Sequence, residues 1–86
     1  MIKAKIVVTL KKGVSDPQGL TVQNALKTMK YEGIQDVRIG KYIEVALNSK
    51  SEDHAKKEVQ EICEKLLVNP IIEQYQYVLE PFERGK

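Results

Sequence analysis

Polar and apolar residues alternate along Ile2–Leu10. Ile2, Ala4, Ile6, Val8 and Leu10 fall on one face, and Lys3, Lys5, Val7 and Thr9 on the other, which predicts a β-strand. Lys11–Ser15 reads as a loop. A helix is expected from Pro17, with Asp16 as N-cap, because a carboxylate there accepts a free N–H and proline suits the first helical position. Val22, Ala25, Leu26 and Met29 share one face of that helix, and Gly33 is its expected stop. Asp36–Asn48 reads as β structure, with Val37, Ile39, Ile43, Val45 and Leu47 all at odd positions. A two-residue hairpin at Gly40-Lys41 breaks that parity. A three-residue turn, or one long strand bulged at Gly40, keeps it, and both stay open.

A second helix follows, opened by a possible capping box of Ser49 and Glu52. Ala55, Val59, Ile62, Cys63, Leu66 and Leu67 recur at helical spacing until Asn69-Pro70 ends it. A last strand is expected over Ile71–Leu79, and Pro81 with the charged tail Glu83–Lys86 closes the chain. The order β-α-β(β)-α-β favours an α+β two-layer sandwich, with both helices on one face of an antiparallel sheet, related to the ferredoxin-like arrangement. Tyr75 and Tyr77 share one face of the last strand and suit either packing against the helices or an interface.

With 86 residues the chain is expected to be a single domain, 1–86. A domain of this size buries only about 60–65% of its unfolded surface, so its core is thin. One cysteine (Cys63) excludes an internal disulfide, and one histidine (His54) leaves few metal ligands, so association is the expected route to extra stability. The net charge of +2, with interleaved signs, forces no nucleic-acid partner. No apolar run approaches membrane-spanning length, the alternating N-terminus is not a signal peptide, and a lone cysteine fits the cytoplasm.

The chain offers little chemistry. Cys63 lies in the apolar stripe of the second helix and reads as core rather than thiolate, while His54 precedes the stripe and has no evident catalytic partner. Neither phosphate-loop glycine pattern occurs, and Gly40-Lys41 and Lys11-Lys12-Gly13 read as a turn and a solvated loop. The adjacent aromatics of an RNA-binding sheet are missing as well. Gly19 is out of place in a first helical turn unless backbone must approach closely there, for example from a partner subunit.

Three segments carry a resemblance. Lys11–Gly19 resembles the LKxGVxDPQG signature of the PurS-type small subunit of phosphoribosylformylglycinamidine synthase, the formylglycinamide ribonucleotide amidotransferase. Val37–Lys41 resembles that family's VRxGK segment, and Cys63–Tyr75 its CxxLLxNPxIExY segment. They stand in the family's order and span nearly the whole chain. Ser15 departs from the larger apolar residue usual before Asp-Pro-Gln-Gly.

The resemblance implies a role in de novo purine biosynthesis. It implies a dimer or tetramer that bridges a glutaminase subunit and an ATP-dependent synthetase subunit and helps shield the passage of ammonia. No catalytic residue and no bound cofactor are expected in this chain; ATP, Mg and glutamine belong to the partners. The candidate interface residues are Asp16, Gln18, Gly19, Arg38, Lys41, Asn69 and Glu73. Three alternatives remain: a ferredoxin-like regulatory, ligand-binding dimer, an RNA-binding module, and an acyl phosphatase, whose glycine-rich arginine loop is missing here.

Overall fold

The computed structural model describes residues 1–81; the charged tail expected at Glu83–Lys86 lies outside the described residues. Three antiparallel strands form one sheet in the order β2-β1-β3: β1 (Ile2–Leu10), β2 (Lys41–Leu47) and β3 (Glu73–Pro81). Two helices, α1 (Pro17–Thr28) and α2 (Glu52–Ile62), complete the α+β fold. The central strand β1 pairs Val8 with Lys41 and Ile2 with Leu47 on one side, and Leu10 with Glu73 and Ile2 with Pro81 on the other. Strand β2 therefore starts where β1 ends, and α1 is an excursion from that end of the sheet. The β2-α2-β3 segment is a split β-α-β unit with β1 lying between its strands.

The parity read from the sequence survives in the sheet. Ile6 lies opposite both Ile43 and Tyr77, so even positions of β1 share a face with odd positions of β2 and β3. That face carries the core: Ala4, Ile6, Val8 and Leu47, sealed by Ala55, Val59, Cys63 and Val68. Tyr75 and Tyr77 lie on the same face, half-buried, with ring centroids 6.3 Å apart, and Gln60 donates to the Tyr77 hydroxyl. The open choice for the two tyrosines thus falls to the helix side.

Several boundaries moved. Ser51, not Ser49, caps α2, accepting from the His54 N–H at 3.1 Å, while the Ser49 hydroxyl donates to the Ser51 carbonyl. Beyond Ile62 the helix widens into a π turn over Cys63–Leu67, closed by Val68 N–H donating to the Cys63 carbonyl. The wider turn shifts the helical phase, so Leu66 is 80% exposed and Val68 takes the core position instead. Strand β3 begins at Glu73 rather than Ile71, because Asn69 holds a turn: its carbonyl accepts from Ile72 and Glu73 N–H and its side chain from Ile71 N–H.

Helix α1 stops before Gly33. Lys30 takes the left-handed conformation at φ 71°, Tyr31 N–H donates to the Leu26 carbonyl, and Lys30 N–H donates to that of Lys27. This is a Schellman closure with lysine in the usual glycine position. The α1 stripe also departs from expectation. Val22 and Met29 are exposed, Leu26 is half-buried, and Gly19 is the helix's buried residue. Helix α2 lies on the sheet face, while α1 reaches the rest of the fold mainly through its first turn.

Neither form left open at Gly40 occurs. Residues 36–40 run outside the ladder and the strand starts at Lys41. Gly40 is the entry point, where a Cβ would lie 2.4 Å from the Val8 carbonyl oxygen.

Candidate subunit interface

The three sequence signatures converge on one end of the sheet, where β1 finishes and β2 and β3 begin. Asp16 organises the first two. Its carboxylate accepts from Gly19 N–H at 2.8 Å, capping α1, and from Ile39 N–H, also at 2.8 Å, fixing the approach to β2. The Asp16 side chain is only 6% exposed, so it needs this saturation. The two backbone donors, Gly19 before Ile39, hold its pKa below the ordinary value, aided by the Arg38 guanidinium 3.9 Å away. Arg38 also donates to the Val14 carbonyl at 3.1 Å and the Lys11 carbonyl at 3.5 Å, tying the loop before α1 to the segment before β2.

Gly19 is where sequence reasoning expected close backbone approach. The approach is real, but it comes from the chain itself: a Cβ on Gly19 would lie 2.1 Å from the Val37 carbonyl oxygen. The missing side chain makes room for that internal contact.

Glu73 organises the third segment. It accepts from Asn69 N–H at 2.7 Å and pairs with Lys41 at 3.4 Å, and the Asn69 bond before the lysine holds its pKa low. Lys11, expected in a solvated loop, donates through Nζ to the Pro70 carbonyl at 2.6 Å and through its backbone N–H to the Ile72 carbonyl. No spacing in the sequence pairs Lys11 with Pro70, since their contact depends on β1–β3 register. Asp16, Gln18, Lys41 and Glu73 line one recess of about 240 Å³ together with Ile39 and Gly40. Arg38 and Gly19 join it through Asp16, and Asn69 through Glu73. All seven expected residues therefore belong to one polar clasp.

The reactive groups lie elsewhere. Cys63 is buried, and burial, with Glu64 adding to it, pushes its thiol up. His54 is exposed on α2 with Nε2 3.0 Å from Glu58 Oε1. Among the described residues no group of three or more His, Cys, Asp or Glu side chains could hold a metal ion, and no helix is long and apolar enough to cross a membrane.

The PurS family profile, described as phosphoribosylformylglycinamidine (FGAM) synthase, matches residues 3–81. The chain belongs to the PurS family. It is 51% identical over 80 residues to phosphoribosylformylglycinamidine synthase subunit PurS of Bacillus subtilis, covering 93% of this chain and 94% of that one. The crystal structure of Methanocaldococcus jannaschii PurS, described as a subunit of formylglycinamide ribonucleotide amidotransferase in the purine biosynthetic pathway, superposes with a TM-score of 0.85. Its identity is 38%, over 96% of this chain and 100% of that one. A chain in the structure of PurLQS from Thermotoga maritima superposes at 0.82 with 28% identity, over 93% and 99% of the two chains. Membership places the chain among the PurS subunits of FGAM synthase, in purine biosynthesis. The clasp is built from the segments that carried the resemblance.

Proposed function

We propose that this chain is the non-catalytic bridging subunit of a cytoplasmic FGAM synthase, self-associating and joining the glutaminase and synthetase subunits so that ammonia passes between them without loss to water. The observation that carries this reading is how the signature residues are used. Asp16, Gly19, Arg38, Asn69 and Glu73 fix backbone at one end of the sheet, presenting a shaped surface rather than a reacting group.

The chemistry of such a subunit is binding energy: fastening both partners to one scaffold raises their effective concentration for each other. ATP, Mg and glutamine are then used by those partners. The PurLQS structure from Thermotoga maritima, which holds a chain of the same fold, supports the partnership. The exposed side of the clasp, Gln18 and Lys41 above all, is the surface offered to them.

Co-purification tests this. Tagged chain mixed with both partner subunits should retain both, and Lys41→Glu with Gln18→Ala should release at least one while keeping the circular dichroism of the folded chain. Retention of neither partner by the wild-type chain would overturn the reading.

A further inference from the structure

Lys11 joins three segments that lie far apart in the chain. Its backbone N–H donates to the Ile72 carbonyl at 2.8 Å, one rung beyond the last β1–β3 pair, Leu10 with Glu73. Its ammonium donates to the Pro70 carbonyl at 2.6 Å. Its own carbonyl accepts from Val14 N–H at 3.1 Å and from the Arg38 guanidinium at 3.5 Å. The end of β1, the turn before β3 and the Arg38 segment therefore meet on one residue, and it is not among the seven expected at the interface.

The turn that Lys11 holds is also tied from within. Asn69 accepts from Ile71 N–H through Oδ1 at 3.1 Å and from Ile72 and Glu73 N–H through its carbonyl, while Glu73 accepts from Asn69 N–H. Packing contributes less. Lys11, Val68, Pro70 and Tyr75 line a recess of about 330 Å³, so the Pro70 end of the turn is held by the ammonium rather than by filled volume. In this turn Ile71 is 81% exposed and Ile72 38%. A tied turn that presents aliphatic side chains to water is prepared for contact, because the entropy of ordering it is lost before a partner arrives.

We propose that Lys11 is a positioning residue for subunit assembly: its ammonium locks the Asn69–Glu73 turn so that Ile71 is presented, already ordered, to an apolar site on a larger subunit of the synthase. This rests on the partnership proposed above and names the residue that prepares the surface for it. Such a tether acts on binding and hardly on global stability, since a solvent-exposed charged contact contributes little to folding.

The test titrates the full chain into purified glutaminase and synthetase subunits and reads glutamine-dependent turnover. Lys11→Met keeps the stem and removes the donor. It should raise the chain concentration giving half-maximal turnover about tenfold, the effect on binding of having to order one backbone residue, with turnover at saturation unchanged. Lys11→Arg keeps a cationic donor and should titrate within about threefold of wild type. Ile71→Ser should raise the half-maximal concentration too, and adding Lys11→Met to it should change nothing further, because both act through one contact. Every variant should keep its Tm within about 3 °C of wild type and keep the same self-association by sedimentation.

A wild-type chain that leaves turnover unchanged overturns the partnership and this role with it. If wild type stimulates and Lys11→Met titrates equally well, or lowers turnover at saturation instead, only the positioning role falls. It falls as well if Lys11→Arg is as weak as Lys11→Met, if the Lys11 and Ile71 substitutions add in full, or if Tm leaves the stated range. Lys11→Met weakening self-association by the same factor also overturns it, and assigns the turn to a second copy.

Discussion

Replacing Gly19 with alanine sets two rules against each other. Gly19 lies in the first turn of α1, where helix propensity alone predicts that alanine stabilises by up to about 1 kcal/mol. The packing says the reverse. The new Cβ would sit 2.1 Å from the Val37 carbonyl oxygen and 2.8 Å from Asp16 Oδ2. The first is a backbone atom, so the start of α1 and the Val37 segment must part by about 0.9 Å before the contact reaches even 3.0 Å. That movement stretches the Gly19 and Ile39 hydrogen bonds to Asp16, both 2.8 Å. Overpacking of this kind costs about 1–3 kcal/mol. After the propensity gain, Gly19→Ala should destabilise by about 1–2 kcal/mol, a fall in Tm of about 5–15 °C for a domain of this size. Gly33 is the control, because nothing lies within 4 Å of its would-be Cβ. Gly33→Ala should leave Tm unchanged or slightly raised. The assay is thermal unfolding by far-ultraviolet circular dichroism at fixed chain concentration, since association shifts apparent stability. A Gly19→Ala Tm equal to or above the wild type would refute the close approach.

Three further outcomes are expected. Lys30→Gly should raise stability by about 0.5–1 kcal/mol in the same assay, because the left-handed φ of 71° burdens lysine and not glycine; a loss would contradict the Schellman closure. Asp16 and Glu73 have pKa values below their ordinary 3.8 and 4.5, so their stabilisation is present above those values and lost as pH falls through the depressed folded ones. The stability gap between wild type and Asp16→Asn should therefore narrow in urea titrations as pH is lowered below about 4, and a constant gap would count against the clasp. Cys63 should resist thiol reagents in the folded protein and react at the rate of unfolding, since it is buried with its thiol pushed up by burial; rapid labelling of folded chain would contradict its place in the core.

The fold was legible where local chemistry and burial agree. Alternation over Ile2–Leu10 fixed the strand and its inward face, because buried and exposed positions there differ by one residue. Asp16-Pro17 marked the start of α1 because capping is a contact within one turn. Errors arose where two local signals competed. The capping box expected at Ser49 with Glu52 gave way to Ser51, whose hydroxyl accepts the His54 N–H one turn into α2. Lys30 closed α1 ahead of Gly33 because Tyr31 and Leu26 complete the closure there.

The π turn lay beyond periodicity altogether. Leu66 continued the apolar spacing, and the extra residue per turn carried it to the outside. The clasp was legible only as a set of residues. Its pairings, Asp16 with Ile39 and Lys41 with Glu73, bring together segments far apart in the chain. The stripe on α1 was legible as apolar, and the structure leaves its Val22 and Met29 exposed. Amphipathic spacing says that a helix face needs cover and is silent on which molecule provides it.

Reconstituted FGAM synthase activity tests the central claim most directly, measured with glutamine and separately with ammonia, each with and without this chain. The account predicts that glutamine-dependent turnover collapses when the chain is left out and returns when it is added, while ammonia-dependent turnover by the synthetase subunit continues in both cases. Equal glutamine-dependent rates with and without the chain would contradict it.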